Sequence, residues 1–147
     1  PLQAWLVRQL LSSDLLFWLA EQAFPRMLIG TLLATDPALL DRVTPAERER
    51  AFTVLQELLP ISARVRGLIN DGQQAGHPAH MDFSLITMPA LIISSEDDRF
   101  GTAQTARDIA AQLPNSRLTI FPDGGHLWLG HDGTVAHEVL TFLSDIR

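Results

Sequence analysis

The chain has 147 residues, 46% of them hydrophobic, which is enough to bury a core, and a formal net charge of -6, which argues against a nucleic-acid partner because phosphate binding needs a concentrated positive field. It contains no cysteine, which excludes disulfides, thiolate metal sites and a cysteine nucleophile. No membrane span is expected, because the most apolar stretch, Leu15 to Leu33, is interrupted by Glu21, Pro25 and Arg26 and a spanning helix needs about 20 predominantly apolar residues. Pro1 in place of Met and the lack of a signal-peptide progression make a cytoplasmic location and a start inside a longer chain the working expectations.

Ser12, Ser13 and Asp14 can cap a helix that begins near Leu15. Thr44-Pro45-Ala46-Glu47 combines an N-cap, an N1 proline and an N3 glutamate. The helix this motif opens carries Phe52, Leu55, Leu58 and Leu59 at helical spacing until Pro60, after which Val65, Leu68 and Ile69 resume the pattern. Composition changes near Gly76 to Asp82. Beyond it, Pro89 to Ser94 is a short apolar run suited to a strand buried on both faces, Ala103 to Leu113 has a helical period, and Leu118 to Phe121 is a second strand. Val135, Val139, Phe142, Leu143 and Ile146 form a last amphipathic helix. The expected fold is α/β: residues 1–80 helical, residues 81–147 a parallel β-α-β-α unit, with a sheet too small to cover both its faces.

Ligands of open α/β sheets bind beyond the carboxyl ends of the strands. Asp97 and Asp98 follow the first strand there, and His126 follows the second in Pro122-Asp123-Gly124-Gly125-His126, whose paired glycines allow a sharp turn that presents the imidazole. Adjacent parallel strands end on the same edge, so an acid and a histidine 28 positions apart can meet. A carboxylate that accepts the Nδ1 proton fixes the histidine tautomer and frees Nε2 to take a proton from a hydroxyl.

Met88 to Phe100 resembles the seventh strand and acid turn of the α/β-hydrolase family, and Leu118 to His126 resembles its eighth strand and histidine loop, with acid before histidine as in that family. In that family the acid stands three positions after a small residue at the strand end, which matches Ser95 to Asp98, so the resemblance implies Asp98 as the acid with Asp97 as the second choice. The resemblance implies that the chain is the C-terminal part of an α/β-hydrolase, with residues 1–80 similar in character to the helical lid. It implies a catalytic triad whose base is His126 and whose acid is Asp98, hydrolysing a small, apolar carboxylic ester as an esterase does, with no cofactor. The family's Gly-x-Ser-x-Gly is missing, and Ser12, Ser62 and Ser94 lack that setting. The nucleophile and oxyanion hole are therefore expected on an N-terminal half of the same hydrolase, without which this chain is inactive. Carbon-carbon bond hydrolases often have tryptophan directly after the histidine, where Leu127 stands here, and remain an alternative with haloalkane dehalogenases. The lack of tyrosine disfavours epoxide hydrolases. A non-catalytic binding module is the alternative outside catalysis.

His77, His80, His131 and His137 show no zinc-ligand spacing, so no metal is expected. His131 reads as a hydrogen-bonded loop residue, and Trp5, Phe17, Trp18, Phe24 and Met27 read as ordinary core.

Overall fold

The computed structural model describes residues 9–76 and 81–146, which leaves Trp5, His77 and His80 outside the described residues. Among the described residues the first half is largely helical: residues 9–12 are helical, and α1 (Asp14–Ala23), α2 (Pro25–Leu32), α3 (Pro45–Gln56) and α4 (Ile61–Gly76) follow, with a 3-10 turn over Pro37–Asp41. After a short turn at Phe83–Leu85 come β1 (Ala90–Ser95), α5 (Thr102–Gln112), β2 (Ser116–Phe121) and α6 (Asp132–Asp145).

Local chemistry sets the helix boundaries. Ser13 caps α1 by accepting from the Leu16 N–H at 3.4 Å. Phe24 ends α1, and Pro25 starts α2 at its first turn, where a missing N–H costs nothing. The apolar stretch is thus two short helices separated by a break at Phe24, and no helix among the described residues is long and apolar enough to cross a membrane. Thr44 Oγ1 accepts from the Glu47 N–H at 3.3 Å as its motif predicts. Glu47 Oε2 accepts from the Thr44 hydroxyl at 3.3 Å while its Oε1 accepts from the Gly130 N–H at 2.8 Å, so one carboxylate serves the local cap and ties α3 to a loop 83 residues away.

Phe17, Ile29, Leu40, Leu55 and Ile61 are fully buried in one cluster, which Leu127 and Leu129 join from the loop after β2. The helical half and the loop that carries His126 therefore share a core. Trp18, Phe24 and Met27 correct the expectation made for them: they are 47%, 60% and 53% exposed. Phe17 and Glu21, four apart, point inward together, which rotates Trp18 toward solvent.

β1 and β2 pair in parallel from Ala90 opposite Ser116 to Ser95 opposite Phe121, with α5 as the crossover. The fold is mixed α/β, with a two-stranded parallel sheet among the described residues. Leu91, Ile92 and Ile93 are only half-buried, whereas Ser94 and Ser95 are buried. The strand expected to be covered on both faces is covered only at its carboxyl end, because two strands are too narrow to be sealed by the helices beside them.

Candidate active site

At the carboxyl end of β1 the chain turns tightly. The Glu96 N–H still donates to Phe121 O at 2.9 Å, as an extension of the strand pairing, and the Asp98 N–H donates to Ser95 O at 3.4 Å. The Gly101 N–H then closes on Asp98 O at 2.8 Å, and Gly101 takes φ 71°, so that α5 starts at Thr102. This turn places the Asp98 side chain, 3% exposed, directly beneath the loop that follows β2.

That loop is shaped by its glycines. Gly124 and Gly125 have φ of 113° and 61°. A Cβ on Gly125 would lie 2.7 Å from the Thr35 side chain, so the backbone passes closer to the helical layer than any other residue permits. Three long-range bonds hold the segment beyond it. Thr35 Oγ1 accepts from the Leu127 N–H at 3.1 Å, Arg50 Nη2 donates to Leu127 O at 2.9 Å, and Glu47 accepts from Gly130. The Leu127 amide is thereby gripped on both sides of its side chain, and Leu127 itself is sunk into the core. Its neighbour His126 is left facing outward with its side chain 47% exposed.

His126 Nδ1 stands 2.9 Å from Asp98 Oδ2. Asp97 does not reach the imidazole; its Oδ1 accepts from the Gly125 N–H at 2.8 Å and braces the turn. The two adjacent aspartates thus hold the backbone of the histidine loop and the ring of the histidine, respectively. Phe100 meets the imidazole edge to face, with ring centroids 4.9 Å apart. Among the described residues, no group hydrogen-bonds Nε2 of His126.

The carboxylate of Asp98 is saturated with donors. Thr102 Oγ1 donates to Oδ2 at 2.5 Å, the Phe100 N–H donates to Oδ1 at 2.9 Å, and His126 shares Oδ2. Thr102 has a single hydroxyl proton and spends it on Asp98, so in the 2.8 Å contact between Ser94 Oγ and Thr102 Oγ1 the serine is the donor. Burial pushes the Asp98 carboxyl up, but the bonds from Thr102, His126 and the Phe100 N–H together outweigh it and hold it below the ordinary aspartate value. A buried anion of this kind favours the tautomer of His126 with hydrogen on Nδ1 and a lone pair on Nε2.

The remaining residues singled out in the sequence have structural partners. His131 Nε2 pairs with Asp123 Oδ1 at 2.8 Å and stacks on Phe121 with centroids 4.3 Å apart, as expected of a loop histidine. Ser62 donates to Asp14, and Ser12 donates to Gln9 O. No group of three His, Asp or Glu among the described residues could hold a metal ion. Sequence reasoning missed Thr102, Phe100 and Thr35. Thr102 follows Asp98 by four residues at a helix start, a spacing open to reading as a turn contact, whereas nothing local marks Thr35, 92 positions from Leu127.

Compared with protein-family models, with curated proteins and with solved structures, the chain matches none.

Proposed function

We propose that this chain supplies the acid and the base of a serine-hydrolase triad that hydrolyses a carboxylic ester, as part of an α/β-hydrolase whose nucleophile and oxyanion donors lie on a preceding polypeptide segment. The observation that carries the reading is the His126 Nδ1 to Asp98 Oδ2 contact of 2.9 Å, joining a carboxylate only 3% exposed with an imidazole 47% exposed at the ends of two adjacent parallel strands. A ring hydrogen-bonded at Nδ1 and exposed at Nε2 is poised to exchange a proton with a group that approaches from outside the chain.

In that reaction a serine Oγ forms a bond to the ester carbonyl carbon while its proton passes to Nε2 of His126. Asp98 stays ionised and stabilises the imidazolium through Nδ1. The imidazolium then returns the proton to the departing alcohol as the ester C–O bond breaks. A water oxygen then bonds to the acyl carbon as Nε2 takes its proton, and the imidazolium returns that proton to the serine Oγ as the acyl C–Oγ bond breaks and the carboxylic acid leaves. Thr102, Phe100 N–H and Ser94 keep the acid charged and fixed while the proton moves.

The test is hydrolysis of p-nitrophenyl butyrate by the protein assembled with the polypeptide that carries Gly-x-Ser-x-Gly, with and without His126→Ala. Turnover is expected to fall by about 10³-fold or more with the circular dichroism unchanged. Equal turnover by the two proteins would refute the role of His126.

A further inference from the structure

A cavity of about 260 Å³ lies between α2, α4 and the acid turn. Leu11, Leu32, Leu58, Ile61, Leu68 and Phe100 line it, and among the described residues no charged side chain does. Among the described residues Thr31 is its one polar lining residue, and the Thr31 hydroxyl is already committed to Met27 O at 2.9 Å. Phe100 borders this cavity and also packs edge-on against His126, so a single ring separates the apolar space from the imidazole. A larger surface cavity of about 320 Å³ on α3, lined by Arg48 and Glu49 among others, includes neither Phe100 nor His126.

We propose that the 260 Å³ cavity is the binding site for an uncharged hydrocarbon portion of the substrate, held beside Phe100 while the ester lies at His126. The word substrate rests on the hydrolase reading above; the chemistry of the site does not. An apolar cavity of about 150 Å³ takes up benzene, so by simple proportion this one suits a group of about ten carbons, such as a phenylalkyl or a branched alkyl chain. A carboxylate or amine placed against this lining would lose part of its water and find no charged or free hydrogen-bonding partner among the described residues, because the Thr31 hydroxyl is already bonded within α2. Recognition would therefore come from shape and dispersion, with the polar ester left at the imidazole end.

The experiment is methyl-resolved NMR of the 147-residue chain titrated with propylbenzene and, separately, with 3-phenylpropionate, which has the same number of carbons and a carboxylate. Propylbenzene is expected to give saturable shifts at the methyls of Leu32, Leu58, Ile61 and Leu68, and 3-phenylpropionate none. Leu68 is 41% exposed at the mouth, so Leu68→Trp can narrow the cavity without disturbing the core and is expected to weaken propylbenzene binding by about tenfold. His126→Ala is expected to keep full binding. Three results would each overturn the proposal: no shift at these methyls, shifts confined to the exposed face around Leu15 and Leu19, or equal binding of the two probes. Failure of the hydrolase reading would show separately, as unchanged ester turnover in His126→Ala, and would leave the probe titration unaffected.

Discussion

Thr102→Val removes one hydroxyl and keeps the shape of the side chain, which isolates what that hydroxyl does for the buried acid. The lost bond runs to a carboxylate, and bonds to charged groups contribute about 1.5–3 kcal/mol. Water cannot replace it, since the Asp98 side chain is 3% exposed. Ser94 also loses its acceptor, at a cost of about 0.5–1.5 kcal/mol. His126 and the Phe100 N–H remain on Asp98, so the loss should sit near the lower end of the sum, about 2–3 kcal/mol at neutral pH. Urea unfolding followed by tryptophan fluorescence measures it. The pH dependence separates charge from packing. Asp98 is held below its ordinary value of 3.8, so its contribution is present above that value and disappears as the pH falls through the folded value. The stability gap between wild type and Thr102→Val should therefore close in acid, because a protonated Asp98 no longer needs the donor. A gap that stays constant down to acid pH, or one under about 0.5 kcal/mol at neutral pH, would refute the account of how Asp98 is kept charged.

Gly125→Ala combines a positive φ with a Cβ placed 2.7 Å from Thr35 and should destabilise by about 3 kcal/mol in thermal unfolding, whereas Gly101→Ala, with φ 71° and open space around its Cβ, should lose only about 1–2 kcal/mol. Similar losses for both would mean that the close approach to Thr35 carries no weight. Thr35→Val leaves the buried Leu127 N–H without its acceptor and is expected to cost about 1–3 kcal/mol by chemical denaturation. In the assembled protein Asp98→Asn should lower ester turnover by about 10³–10⁴-fold, and Asp97→Asn far less, because Asp97 braces the Gly125 backbone and does not touch the imidazole. The reverse ranking would transfer the acid to Asp97.

Much of the scaffold was legible because it is written in short-range patterns. Thr44-Pro45 opens α3, Pro25 splits the apolar stretch, and the run after Pro89 forms a strand that pairs in parallel with Ser116–Phe121 across α5. Each of these depends on dihedral limits or side-chain periodicity within a few residues. The preference for Asp98 over Asp97 rests on the resemblance of the acid turn and not on local physics; in the structure Asp98 stands beside the imidazole and Asp97 reaches the Gly125 N–H.

Periodicity shows which residues share a face; it does not say what lies opposite. Trp18, Phe24 and Met27 looked like core from their spacing, and only the packing of Phe17 and Glu21 inward left them in solvent. Glu47 read as half of a local cap, yet one of its two carboxylate oxygens also accepts from the Gly130 N–H, 83 residues on.

From the amino-acid order alone came the helical first half, the strand-helix-strand-helix second half, and an acid and a histidine at the ends of neighbouring strands, because dihedral limits, caps and periodicity act locally. Tertiary structure alone decided that Thr35, Glu47 and Arg50 grip the histidine loop, that Thr102 and Ser94 line up behind Asp98, and that an apolar cavity opens beside Phe100. Those arrangements depend on how one element's surface meets another's, which is settled only when the whole core packs at once.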